Sequence, residues 1–252
     1  MDQRLNHCPR STARSLTRST RSRNVAGLTG RLLLGTSAVL ALLHPPVALA
    51  RRLATLDQLS GGRVIAGLGQ GWMPEEFVVS GVPMRRRGAG MVEHVPAMRA
   101  TWGPDPVSFS GRFYQIPTSD IGPKPAQPNG IPILLAYDSE AGIRRAAQIA
   151  DGLLPNVDDL ATLIRHIGLF REAARMHGRD PDSLSVLARF RTRFAPMPMD
   201  AADRPLFSGT VDQWCEDVER VERAGVFHAL FGSREPIELQ IERLSELRAR
   251  TS

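Results

Sequence analysis

Lysine is almost absent from this chain. Of 32 cationic residues only Lys124 is a lysine, and the rest are arginines. Cysteine is nearly as scarce: Cys8 and Cys215 stand far apart and form no CxxC pair. That spacing excludes a disulfide framework and a thiolate zinc site, and two lone thiols fit a reducing compartment. Aromatic residues make up only 6% of the sequence, which suits an α/β domain rich in Ala, Leu, Val and Gly better than a β-sandwich. No Walker A, H-E-x-x-H, EF-hand or catalytic-triad signature occurs, so those chemistries have no support. The apolar run from Leu32 to Leu43 is too short to span a membrane.

What is present is unevenly placed. Residues 1–31 hold seven arginines and one acid, Asp2, so the whole net charge of +6 resides there. Basic and acidic residues balance in the remainder. The tail is rich in Ser and Thr and poor in large apolar side chains, so disorder is expected over 1–31. It lacks the lysines and interleaved aromatics of a nucleic-acid arm, and no nucleic-acid partner is expected. One folded domain is expected over 32–252, a length sufficient for a sizeable core.

Residues 32–50 read in two ways. A cationic lead, an apolar run and Ala48-Leu49-Ala50 mimic an export signal cleaved after Ala50. Against this, Arg51 and Arg52 follow the supposed cut. The stretch from Pro45 to Ser60 also continues as an amphipathic helix, with prolines suited to its first turn and Asp57 as its polar break. A buried strand at 32–42 and a helix at 45–58 are therefore expected, with a cytoplasmic location.

Strands and helices then alternate. Strands are expected at 63–69, 131–136, 152–155, 184–194 and 227–231. Helices are expected at 86–102, 139–150, 158–177, 211–224 and 236–249, with a small rim hairpin over 107–114. Apolar strands without alternation imply a sheet buried on both faces, hence parallel. In such folds ligands bind where strands end. The strand at 63–69 ends in Gly67-Leu68-Gly69-Gln70-Gly71-Trp72. Glycines there remove the Cβ atoms that hold a ring or phosphate off the backbone. A dinucleotide fingerprint starting at Gly67 fails, because Trp72 stands where glycine is required.

An ordered series of motifs resembles the luciferase-like monooxygenase family, the bacterial-luciferase-type barrels that use FMN or deazaflavin F420. It comprises Leu34-Gly35-Thr36-Ser37, Ala54-Thr55-Leu56-Asp57, Ser60-Gly61-Gly62-Arg63 and the Gly67–Trp72 segment. Further on come Gly81-Val82-Pro83, Gly111-Arg112-Phe113-Tyr114, Pro123-Lys124-Pro125, Ser139-Glu140-Ala141, Ala150-Asp151-Gly152 and Gly209-Thr210. The style is most similar to the F420-dependent branch. The resemblance implies a (β/α)8 TIM-barrel-type fold, here incomplete, with about six βα units and the family's first two absent. Open strand edges would be compatible with a homo-oligomer.

The resemblance also implies a cofactor site. Ser37-Ala38 matches a place where relatives often have a non-proline cis peptide behind the ring. Gly69, Gln70, Gly71 and Trp72 would border the ring and its tail. Tyr137, Asp138 and Ser139, opening a helix, would meet the cofactor phosphate, although Asp138 and Ser139 also suit an N-cap. No catalytic acid or base is assigned; His44 is a loop histidine to test for one. Glu75 and Glu76 read as first-turn acids. Arg189, Arg191 and Arg193 alternate along a strand, facing either an acidic ligand or the open edge. The expected activity is hydride or oxygen transfer to a small organic substrate, with F420 ahead of FMN. The alternative is an inactive remnant or assembly subunit of the same fold.

Overall fold

The computed structural model of the chain describes residues 25–200 and 204–251. Most of the expected tail, residues 1–24, lies outside them. Residues 25–28 form a single helical turn, pinned by Arg63, whose guanidinium donates to the carbonyls of Ala26, Thr29 and Leu32. Residue contacts divide the chain into two compact units, one ending at Ile133 and one beginning at Leu134.

In the first unit, β1 (Leu34–Gly35) and β2 (Val39–Leu40) both pair in parallel with β3 (Val64–Gly69). The single strand expected over 32–42 is therefore two short ones. Leu32 and Leu33 are exposed, and between the strands the Thr36 hydroxyl donates to the Gly67 carbonyl at 2.8 Å. A 3-10 turn (Ala41–Leu43) leads into α1 (Pro46–Ser60). Proline opens α1, and Gly61 closes it in the left-handed region at φ 67. Ala50 sits mid-helix, fully buried, and its carbonyl accepts the Trp102 indole N–H at 3.0 Å. α2 (Pro74–Val79) carries Glu75 and Glu76 in its first turn, and α3 (Ala89–Trp102) packs against α1. The rim hairpin is antiparallel β4 (Val107–Ser110) and β5 (Gln115–Ser119).

Asp57 is no mere break in the α1 stripe. It is fully buried, and both carboxylate oxygens accept two N–H donors each. Oδ1 takes Val64 N and Gln127 Nε2; Oδ2 takes Ala126 N and Gln127 N. One side chain thus ties the start of β3 to the proline-rich loop.

In the second unit, β6 (Ile133–Leu135), β7 (Gly152–Leu153), β8 (Ser185–Arg191) and β11 (His228–Gly232) pair in parallel in that order. A short parallel pair, β9 (Arg193–Phe194) and β10 (Ser208–Gly209), sits beyond β8. α4 (Glu140–Ile149) packs on α5 (Leu160–Met176), and α6 (Val211–Arg223) on α7 (Ile237–Thr251). Side-chain caps start three of these helices. Ser139 caps α4, Asp159 caps α5, and Thr210 caps α6 in a reciprocal box with Gln213. The helix side of β8 is aromatic: Phe190 lies 4.6 Å from Phe207, which lies 4.8 Å from Phe231.

Asp217, buried on α6, holds this region together. Its carboxylate takes Arg204 at 2.6 and 2.9 Å, Arg220 at 2.9 Å and the Phe207 amide at 2.8 Å. Six strand–helix units are thus present among the described residues, the parallel α/β plan expected from the sequence. Among those residues no helix is long and apolar enough to cross a membrane.

Candidate functional site

The first unit brings together the tip of β3 and the segment between β1 and β2. Leu40 lies in register with Gly69, and the Ser37–Ala38 peptide is cis, as the resemblance implies. A Cβ built on Gly69 would meet the Ala38 Cβ at 3.6 Å and Leu40 at 3.7 Å, ordinary contact distances. Its φ is not in the left-handed region. Neither backbone nor packing therefore requires glycine at this buried position, next to the half-buried Ala38.

Gly71 is glycine for a different reason. Its φ is +83, and a Cβ would approach the Phe77 ring to 2.9 Å. Gln70 does local work: its side-chain oxygen accepts the Gly88 amide at 2.9 Å, pinning the loop before α3 to the tip of β3. Trp72 is 62% exposed.

His44 follows the 3-10 turn that leads out of β2, and His94 on α3 lies against the rim hairpin. His94 Nε2 lies 3.0 Å from the His44 carbonyl, which can only accept, so that nitrogen carries the proton. The His94 ring meets Tyr114 edge-on at 5.4 Å. Glu93 accepts the Phe113 amide at 2.7 Å and fixes the Gly111–Tyr114 turn. Burial, ahead of the Arg52 charge, pushes the His44 pKa down. Burial likewise lowers His94, against the raising effect of its bond to the His44 carbonyl. His44 is therefore a neutral imidazole at neutral pH, a state able to accept a proton.

A pH dependence of stability follows. His166 on α5 is also lowered, first by burial and then by Arg165. All three histidines have folded values below the ordinary 6.5. Below that value the unfolded chain binds protons that the folded chain refuses, so stability falls as pH drops from 7.5 to 5.5. Asp105 and Asp159, held below the ordinary carboxylate value, act only in more acid solution. Urea unfolding at the two pH values checks this; equal or greater stability at pH 5.5 contradicts it.

The second unit keeps Tyr137, Asp138 and Ser139 together after β6. Tyr137 is buried, with Arg145 over its ring at 5.7 Å. Asp138 accepts the Asn156 amide at 3.1 Å, and Ser139 accepts the Gly142 amide at 3.3 Å. All three thus have structural tasks within their own unit. Arg191 and Arg193 are exposed, and Arg191 lies 3.7 Å from Asp158. Among the described residues no group of three or more His, Cys, Asp or Glu side chains is placed to hold a metal.

Three comparisons place this geometry. A family model described as luciferase-like monooxygenase matches residues 24–224, well over half of the chain. The chain belongs to the luciferase-like monooxygenase family. An uncharacterized protein from Mycobacterium tuberculosis H37Rv, Rv0953c, is 36% identical over 156 residues, 62% of this chain and 55% of that protein. The chain spans about half the length of the curated relatives it matches. Among solved structures, an F420-dependent secondary alcohol dehydrogenase in complex with an F420-acetone adduct superposes with a TM-score of 0.81. The identity is 20%, over 93% of this chain and 84% of that one. Riboflavin lyase RcaE, with modified FMN and riboflavin, superposes at 0.75 with 18% identity, over 92% of this chain and 73% of that one. The fold is that of the family's TIM-barrel-type members.

Proposed function

We propose that this luciferase-like protein is a deazaflavin- or flavin-dependent oxidoreductase, with F420 ahead of FMN on the style of its motifs. The observation that carries the reading is Gly69, bare beside the cis Ser37–Ala38 peptide with no internal reason to be glycine. Such a surface fits a flat heteroaromatic ring. When bound, the ring supplies hydride or oxygen transfer to a small organic substrate.

The chain's own part is positional. Ala38 and Gly69 form the floor, the Gly71 backbone continues it, and Trp72 offers an exposed aromatic face alongside. Gln70 holds the neighbouring loop instead of reaching outward. His44 is the available proton acceptor at this edge.

Separate fluorescence titrations with F420 and FMN, on the native chain and two variants, test the reading. Gly69→Ala should weaken ring binding by about tenfold or more, since a methyl would lift the ring off its floor. Its thermal stability should be unchanged or slightly raised. Gly71→Ala should instead cost about 1–2 kcal/mol of stability, through its left-handed backbone. Unchanged binding of both cofactors to Gly69→Ala would refute the floor.

A further inference from the structure

The 3-10 turn Met84–Arg86 and its C-cap Arg87 bring three consecutive arginines, Arg85 to Arg87, into the loop that Gln70 pins to the β3 tip. Arg112 joins them from the rim hairpin. Among the described residues none of the four forms an ion pair with a carboxylate. Glu93, close in sequence, gives its carboxylate to the Phe113 amide. Arg86 is the distinctive member. It is half-buried, with its guanidinium 5.3 Å from the Phe113 ring centre and 5.9 Å from that of Tyr114. It also lowers the Tyr114 pKa, against the larger raising effect of burial.

A guanidinium held against two rings, with one N–H donated to the Tyr114 hydroxyl, is fixed in place and keeps the rest of its N–H edge for another acceptor. That edge matches a carboxylate or a phosphate with two parallel hydrogen bonds. Arg85, Arg87 and Arg112 add positive charge nearby, set against the Glu93 carboxylate, which stays anionic while it accepts the Phe113 amide. The Gln70 side chain ties Gly88, two residues on from Arg86, to the end of β3 within the same unit.

We infer that Arg86 anchors an anionic substrate, a small organic acid or phosphate ester, beside the ring-binding edge. The substrate class rests on the oxidoreductase reading, while the anion preference is measurable on the protein alone. The other titratable groups around it are Tyr114, Glu93 and His94; burial lowers the His94 pKa, so that ring is neutral near pH 7.

The test compares benzoate, acetate and inorganic phosphate with neutral benzamide, by calorimetry on the full chain without cofactor. At least one anion should bind more than about tenfold tighter than benzamide, the scale of a charge-assisted pair. Arg86→Gln should abolish that preference. Arg86→Lys should keep part of it, losing the fork but not the charge, and Arg85→Gln should leave it intact. The cofactor affinities of all three variants should match the native chain. No anion preference in the native chain, or a preference surviving in Arg86→Gln, overturns the inference. If bound cofactor abolishes the preference, Arg86 serves the cofactor's phosphate and the substrate assignment falls. Cofactor binding without anion preference removes this inference alone; the converse removes the oxidoreductase reading alone.

Discussion

Asp217→Asn should destabilise the protein by about 3–5 kcal/mol, the usual penalty for breaking a buried pair. The carboxylate is fully buried and Arg204 is 5% exposed, so the substitution strands a guanidinium out of water. Whichever way the asparagine amide flips, its NH2 faces two of the four donors, either the Phe207 amide with one Arg204 N–H or the Arg204 and Arg220 N–H groups; Phe207 holds a left-handed φ of 56, a conformation that a bulky residue adopts only when its surroundings enforce it. Phe207 joins Phe190 to Phe231, so its release would loosen the aromatic side of β8. In a domain of this size the melting temperature should fall by roughly 6–20 °C. Replacing both partners, Asp217→Leu with Arg204→Met, should recover much of the loss, because no charge is then left unpaired. Loss below 1 kcal/mol in the single variant would show that the pair carries little of the fold.

Asp57→Asn should cost about 2–4 kcal/mol, since two charge-assisted hydrogen bonds go. All four donors to this carboxylate are N–H groups. An asparagine amide turns its own NH2 toward two of them whichever way it flips. The loop at 126–127 should detach from β3, and hydrogen exchange at Ala126 and Gln127 reports it directly. Unaltered protection of those two amides would contradict the anchoring role.

These two acids show what the sequence could and could not disclose. Each interrupts the apolar stripe of an amphipathic helix, Asp57 in α1 and Asp217 between Trp214 and Val221 in α6. An acid on a buried stripe signals a buried partner, but the partners lie 70 and 13 residues away, and only the fold brings them near. Helices were legible because proline, capping residues and 3.6-residue spacing act locally. The Leu32–Leu43 run was legible as apolar but not as two strands, because the break at 36–38 depends on a hydroxyl reaching Gly67. At the candidate site, the glycines of the β3 tip stood out in the sequence, yet their reasons differ. Gly71 answers to its φ and Phe77, Gly69 to nothing inside the protein. The stacking of Arg86 was invisible, since its rings come from a hairpin 27 residues downstream.

The central claim is that the bare tip of β3 receives a flat redox ring. Co-crystallisation with F420, and separately with FMN, measures this most directly. The account predicts ring density in van der Waals contact with the Gly69 Cα and the Ser37–Ala38 peptide, in at least one of the two complexes. Saturable binding with the ring seated elsewhere, or no ring density in either complex at concentrations that saturate known relatives, would contradict it.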